Sequence, residues 1–245
     1  MFETIIYAFG DSIVNGHVYP QQGSVERVAA AIGGCRVIKM ARNGATICST
    51  PLHSADLGGQ ILKQTEEVPA DSPAPDVIVF DGLTNDVHQG FLRDHPGELT
   101  APGEFDPSRF APDTYAGCFE STIAEFRRCW PNAAIVYLAV HKNGAQSFDD
   151  QMHARRLALG ACEKWGVVVA DVWADSDLDT RRDEDRVKYS FDALGNDGLP
   201  GTPETITYDH PDRQPSGTHP NFPAIDRFYT PVVARVLTSM MHVGR

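Results

Sequence analysis

Apolar runs of strand length recur five times along the chain: "TIIYAF" (Thr4 to Phe9), "CRVIKM" (Cys35 to Met40), "DVIVF" (Asp76 to Phe80), "AAIVYLAV" (Ala133 to Val140) and "GVVVADV" (Gly166 to Val172). Most are continuous. A strand with one wet face alternates apolar and polar residues, so an unbroken run belongs to a strand covered on both faces, as in a parallel sheet. Helical periods fill the intervals. "GSVERVAAAIGG" opens at Ser24, read as a cap, and closes in glycines; Asp113 to Arg128 carries Tyr115, Phe119, Ile123 and Phe126 on one stripe. Gln151 to Trp165 and Ala224 to Met241 supply two more helices. This alternation predicts an α/β fold, a three-layer α/β/α sandwich around a central five-stranded parallel sheet.

With 245 residues, no internal repeat and no linker rich enough to divide it, the chain reads as a single domain, 1–245. Two stretches resist assignment, about 89–112 and the acidic, Gly- and Pro-rich 174–215. Long loops inside a compact domain are usually functional, so both are expected near the active site.

Charge and composition exclude several classes. A formal net charge of -12, with scattered Lys and Arg, would repel a polyanion, so nucleic acid is not an expected partner. No run approaches the ~18 apolar residues of a membrane helix. The five cysteines, Cys35, Cys48, Cys118, Cys129 and Cys162, show no C-x-x-C pairing and read as core residues of a reducing compartment. With no leader ahead of the first strand, the expected location is cytoplasmic.

The chemistry gathers where the strands end. After the first run comes Gly10-Asp11-Ser12; after the second, "ARNGAT" with Asn43 and Gly44; after the third, "DGLTNDV" with Asn85 and Asp86; before the last helix, "SGTHPN" with His219. Gly, Asp and Ser also make ordinary turns, so the first block alone decides nothing. Together the four offer the parts of a serine hydrolase. Ser12 supplies a nucleophilic hydroxyl and His219 a base, while the Ser12 and Gly44 amides and the Asn85 side chain supply oxyanion donors.

At this point the sequence resembles the SGNH or GDSL-type hydrolases, a family of esterases, lipases, thioesterases and carbohydrate deacetylases named for blocks of Ser, Gly, Asn and His. All four stand here in order, as "GDS" at Gly10 to Ser12, "NG" at Asn43 to Gly44, "ND" at Asn85 to Asp86 and "HPN" at His219 to Asn221. The resemblance implies a flavodoxin-like fold, an acyl-enzyme on Ser12 released by water that His219 activates, and no cofactor. It also implies that Asp11 orients its turn.

Three departures stand out. Ile13 replaces the Leu of GDSL, an aliphatic exchange. Leu83 occupies the place of the family's usual Gly, which implies a different turn or a narrower acyl pocket, and makes it a substrate-binding candidate. The third touches the mechanism: the D-x-x-H acid that would hold the histidine is absent, and the chain reads Ser216-Gly217-Thr218-His219. Asp212 or Asp209 could reach the ring instead, with Asp212 favoured. A Ser-His dyad leaning on a backbone carbonyl or Ser216, an engineered residue, or a poor catalyst are the alternatives.

Among the other histidines, His17 follows Ser12 by five residues and is a candidate to line the pocket; His53, His88 and His141 lie past strands without the i, i+4 spacing of a helical zinc site, so no metal is expected. The cluster "DSDLDTRRDEDR" (Asp175 to Arg186) lacks the Gly and terminal Glu of a calcium loop and reads as a solvated face. The expected substrate is a small-molecule or carbohydrate ester with a short acyl group such as acetyl. A lipase, thioesterase or acyltransferase on the same serine, and a binding protein that has lost catalysis, remain open, as does the oligomeric state.

Overall fold

The structure, a computed structural model, describes residues 3–17, 22–49, 58–191 and 216–241. In chain order these form β1 (Thr4–Phe9), α1 (Ser12–Asn15), α2 (Ser24–Ile32), β2 (Cys35–Lys39), a 3₁₀ segment (Ile61–Glu67), β3 (Val77–Phe80), α3 (Thr84–His88) and α4 (Phe91–Asp94). There follow α5 (Tyr115–Cys129), β4 (Ala134–Ala139), α6 (Phe148–Trp165), β5 (Val168–Asp171), α7 (Val172–Asp175), α8 (Asp183–Tyr189), α9 (Phe222–Ala224) and α10 (Thr230–Met241). The five strands make one parallel sheet in the order β2-β1-β3-β4-β5.

Successive strand residues point to opposite faces, and the core divides accordingly. Tyr7, Phe9, Ile78, Phe80, Ile135 and Tyr137 pack with α5 and α6 on one side. Ile6, Ala8, Val77, Val79, Val136 and Leu138 pack with α2 and α10 on the other. Because both faces are covered, the strands carry the continuous apolar runs seen in the sequence. The first layer is rich in aromatics: Phe9 stacks on Phe126 at 4.8 Å and Phe119 meets Tyr137 edge-on at 5.2 Å. Such contacts add roughly 1 kcal/mol each beyond the area they bury.

The strand ends match the sequence reading to within two residues; the helix starts differ for local reasons. Ser24 is the first residue of α2 and the cap is Gly23, whose amide donates to Glu26 Oε2 at 2.7 Å. A Cβ on Gly23 would lie 2.0 Å from the Val14 carbonyl oxygen, so close packing on α1 forbids a larger cap. The helix α6 starts at Phe148, capped by Ser147, three residues ahead of the predicted Gln151. The last predicted helix is divided: α9 and α10 are joined by a π-helical turn, Ile225–Tyr229.

Of the two long loops, 89–112 includes α4 and a 3₁₀ turn at Pro107–Arg109, and Thr100 bonds to Glu120 of α5 and Lys164 of α6. The buried Lys164–Glu120 ion pair thus fastens this loop to the α5–α6 layer. In the second, the residues up to Phe191 run back to the His219 segment, where Ser190 pairs antiparallel with Pro220. Among the described residues no helix is long and apolar enough to cross a membrane.

Candidate active site

The sheet order has a consequence for position. From β1 the chain goes to β2 on one side, then crosses back to β3 on the other, so the carboxyl ends of β1 and β3 flank a topological switch point. Open parallel sheets bind ligands there. Ser12 follows β1 and Asn85 follows β3.

Gly10 has φ +142, and a Cβ there would stand 2.0 Å from Asp81 Oδ1, so both its conformation and its surroundings demand glycine. Its amide donates to Gln64 Oε1 and its carbonyl accepts from Gln64 Nε2, each at 2.8 Å. Asp11 caps α1, its Oδ1 accepting from the Ile13 amide at 2.8 Å. Glycine makes the turn, aspartate caps it, and Ser12 becomes the first helical residue, its amide among those a helix start leaves without an intrahelical acceptor.

Ser12 Oγ lies 2.9 Å from His219 Nε2. The segment carrying His219 is held from three sides. Its own carbonyl accepts from the Phe191 amide at 2.8 Å, and the Asn221 amide donates to the Tyr189 carbonyl at 2.9 Å. The Gly217 carbonyl accepts from Thr180 Oγ1 at 2.7 Å and from His141 Nε2 at 3.0 Å. His141 is fully buried and its Nδ1 lies 2.7 Å from the Tyr229 hydroxyl. Nε2 must carry a proton to donate to a carbonyl, so Nδ1 accepts from Tyr229, and burial pushes His141 down to about 4. It stays neutral.

The Asn43–Gly44 turn is tied to the same place. Asn15 Nδ2 donates to Asn43 Oδ1 at 2.9 Å, and Asn43 Nδ2 donates to the His17 carbonyl at 3.0 Å. Gly44 has φ +79. Asn85 Nδ2 donates one hydrogen to the Ala45 carbonyl at 2.9 Å and keeps a second N–H. Beneath them Asp86, fully buried, accepts from the Ile47 and Cys48 amides at 2.9 and 3.1 Å. Burial pushes Asp86 up to about 7.

His17 lies flat on His219, ring centres 3.6 Å apart and planes within 6°. Burial, and to a lesser extent His17 and His141, hold the His219 imidazole well below the ordinary histidine range, so it is neutral at pH 7. Behind the serine, Asp11 and Asp81 are both fully buried and hydrogen-bonded, Asp81 Oδ1 accepting from the Asp11 amide at 2.8 Å. Desolvation raises Asp11 to about 6, and desolvation with the charge of Asp11 raises Asp81 well above the carboxylate range.

Ser12, His219, Gly44, Asn85 and His17 therefore gather at one sheet edge. Leu83 is 6% exposed and packs in the core with Ile47, Ile61, Val87 and Leu92. Its φ of -166 is ordinary extended backbone. The glycine-only position is Gly82, with φ +141 and a Cβ that would fall 2.6 Å from Ile47. Asp212 and Asp209 lie outside the described residues, as does His53. The Ser216 hydroxyl contacts Thr218 Oγ1 at 3.0 Å and accepts from its amide at 3.2 Å. Among the described residues no carboxylate bonds to the His219 ring, and no cluster of His, Cys, Asp or Glu could hold a metal.

Three residues that sequence reasoning did not single out, Asp81, Thr180 and Tyr229, do the holding together with His141, which sequence reasoning weighed only as a zinc ligand. The legible signal is the position of Asp81 and His141 at the ends of buried strands; Thr180 and Tyr229 give none. A separate groove on α6, lined by Met152, His153, Arg156 and Glu163 among others, shares none of the site residues. A serine hydroxyl bonded to a neutral imidazole, beside backbone and amide donors, can give up its proton and attack an electrophilic carbon.

Solved structures of like fold cover nearly the whole chain. A protein described as a possible lipase from Chitinophaga pinensis is 17% identical over 97% of this chain and 99% of its own, with a TM-score of 0.64. A member of the lipolytic G-D-S-L family from Veillonella parvula is 15% identical over 96% and 98%, with a TM-score of 0.55. An active-site mutant of a family two carbohydrate esterase from Clostridium thermocellum, in complex with "celluohexase", is 14% identical over 98% of this chain and 65% of that one, with a TM-score of 0.56. At such identities the likeness is one of fold. No curated protein matches. Residues 8–221 match the family model that spans the Ser12, Gly44, Asn85 and His219 blocks, and the chain belongs to the GDSL-like lipase/acylhydrolase family.

Proposed function

We propose that the protein hydrolyses carboxylic esters through an acyl-enzyme on Ser12, with His219 as base. The observation that carries the reading is the 2.9 Å approach of Ser12 Oγ to a neutral His219 Nε2 at the switch point of the sheet. The Ser12 proton passes to Nε2 as Oγ bonds the ester carbon, and the oxyanion meets the Ser12 and Gly44 amides and the free N–H of Asn85. Collapse expels the alcohol with the proton from His219. Water then repeats the sequence, its proton going to Nε2, and the acid leaves. No step calls for a cofactor.

Among the described residues the Ser216 hydroxyl is engaged with Thr218 and no carboxylate bonds to the ring, so the reading rests on a serine–histidine pair. The proposed substrate is a short acyl ester, such as acetyl, on a sugar or other polar alcohol, supported by the polar loops and by the carbohydrate esterase among the proteins of like fold.

Fluorophosphonate treatment followed by peptide mass spectrometry tests the serine: the expected label is on Ser12 and disappears in His219→Ala. Absence of label in the wild type would end the reading. A series of nitrophenyl esters tests the acyl group, with highest kcat/KM expected at acetyl and the proposal lost if the optimum lies at long chains.

A further inference from the structure

We propose that His17 is a positioning residue for His219, its ring fixing the plane in which the imidazole faces Ser12. The inference rests on the reading of Ser12 and His219 as nucleophile and base.

A catalytic imidazole needs its plane held, a task that a carboxylate at D-x-x-H ordinarily does. Here position 216 is a serine bonded to Thr218. The ring that does touch His219 is His17, parallel within 6° at 3.6 Å. A flat aromatic face this close restricts rotation about the bond that swings the imidazole away from Ser12.

His17 occupies this place at a double cost. Its φ is +52, the only non-glycine residue with positive φ among those described, in a region unfavourable for any side chain with a Cβ. Its Nε2 is buried with no hydrogen-bond partner among the described residues. Glycine would remove both costs. Strain of this kind, concentrated on one residue in contact with the candidate base, points to function.

The backbone shows how the ring is aimed. The His17 amide donates to the Ser12 carbonyl at 2.9 Å and the His17 carbonyl accepts from Asn43 Nδ2. The serine turn, the Asn43–Gly44 turn and the stacked ring are thereby one unit. Of the titratable groups near the His219 ring, His17 and His141 act on it, both in the direction that keeps it neutral, and each is itself held below the ordinary histidine range by burial.

The test compares wild type, His17→Gly and His17→Phe on nitrophenyl acetate across pH, after fluorophosphonate labelling has established Ser12 reactivity in the wild type. Without that label both readings fall; with it, only this one is at stake. In His17→Gly, kcat is expected to fall about tenfold, the value of one aromatic stack, with KM little changed and Tm not lowered. Its acid limb should move up toward the ordinary histidine value as water reaches the ring. His17→Phe keeps the flat face without the orphaned nitrogen and should recover most of the rate and the low acid limb. Wild-type kcat and pH profile in His17→Gly would overturn the proposal, as would a change confined to KM or a Phe variant as slow as the Gly variant.

Discussion

At the scale of single residues, the site depends on groups whose protonation is set by burial. His219 is held well below the ordinary histidine range, so the base form persists into mildly acid solution. A pH–rate profile of kcat/KM should therefore lose activity on the acid side only below pH 6.5, the ordinary value for a free histidine. A limb at or above that pH would show that the imidazole is wetter than the structure has it. In the proposed mechanism the second N–H of Asn85 meets the negative charge that develops only in the transition state. Asn85→Ala should lower kcat by about 10²–10³ with KM little affected, read by steady-state kinetics.

At the scale of elements, function relies on turns that one Cβ would spoil. Gly217 has φ +84, and a Cβ on it would lie 2.8 Å from Thr180 Oγ1 and 3.0 Å from Thr180 Cβ. In Gly217→Ala the turn must open, taking with it the carbonyl that His141 and Thr180 share and the histidine two residues on. Since a displacement of about 1 Å can cost a hundredfold in rate, kcat is expected to fall by at least about tenfold while far-UV circular dichroism stays unchanged. Thr114 shows the contrasting case of an element that serves stability alone. Its Oγ1 accepts from the Gly117 amide at 3.2 Å to cap α5, and Thr114→Ala should cost about 1 kcal/mol in urea unfolding without touching kcat.

Across the whole molecule, the buried titratable groups set how stability follows pH, with two signs. Asp11, Asp81 and Asp86 are raised, so their contribution is full below pH 4 and is lost as pH climbs through about 6, about 7 and, for Asp81, beyond. His17, His141 and His219 are lowered, so theirs is full above pH 6.5 and is lost as pH falls, through about 4 for His141. Between about pH 4.5 and 6.5 the two sets oppose each other, and above 6.5 only the acids still act. Calorimetry is expected to show Tm declining as pH rises above 6.5, where only the acids still act. Asp81→Asn, which keeps an oxygen for the Asp11 amide and adds a donor toward Asp11, should flatten that decline and raise Tm at pH 8. An unchanged slope in this variant would remove the carboxyl pair from the account.

The strands are legible in the sequence because covering both faces of a parallel sheet leaves a local trace, an unbroken apolar run. The blocks at Ser12, Gly44, Asn85 and His219 are legible because each needs particular residue types within a few positions. The stacking of His17 on His219 is not, since no local rule brings position 17 to position 219. Nor is the Asp11–Asp81 pair, whose members look like ordinary turn acids until the sheet sets β1 beside β3. Leu83 shows the same limit from the other side: its standing in the place of the family's usual Gly suggests a different turn or a narrower acyl pocket, and only the packing shows it buried in the core cluster. Periodicity and short motifs belong to the chain alone; orientation, burial and the resulting protonation depend on which distant segments tertiary packing brings into contact.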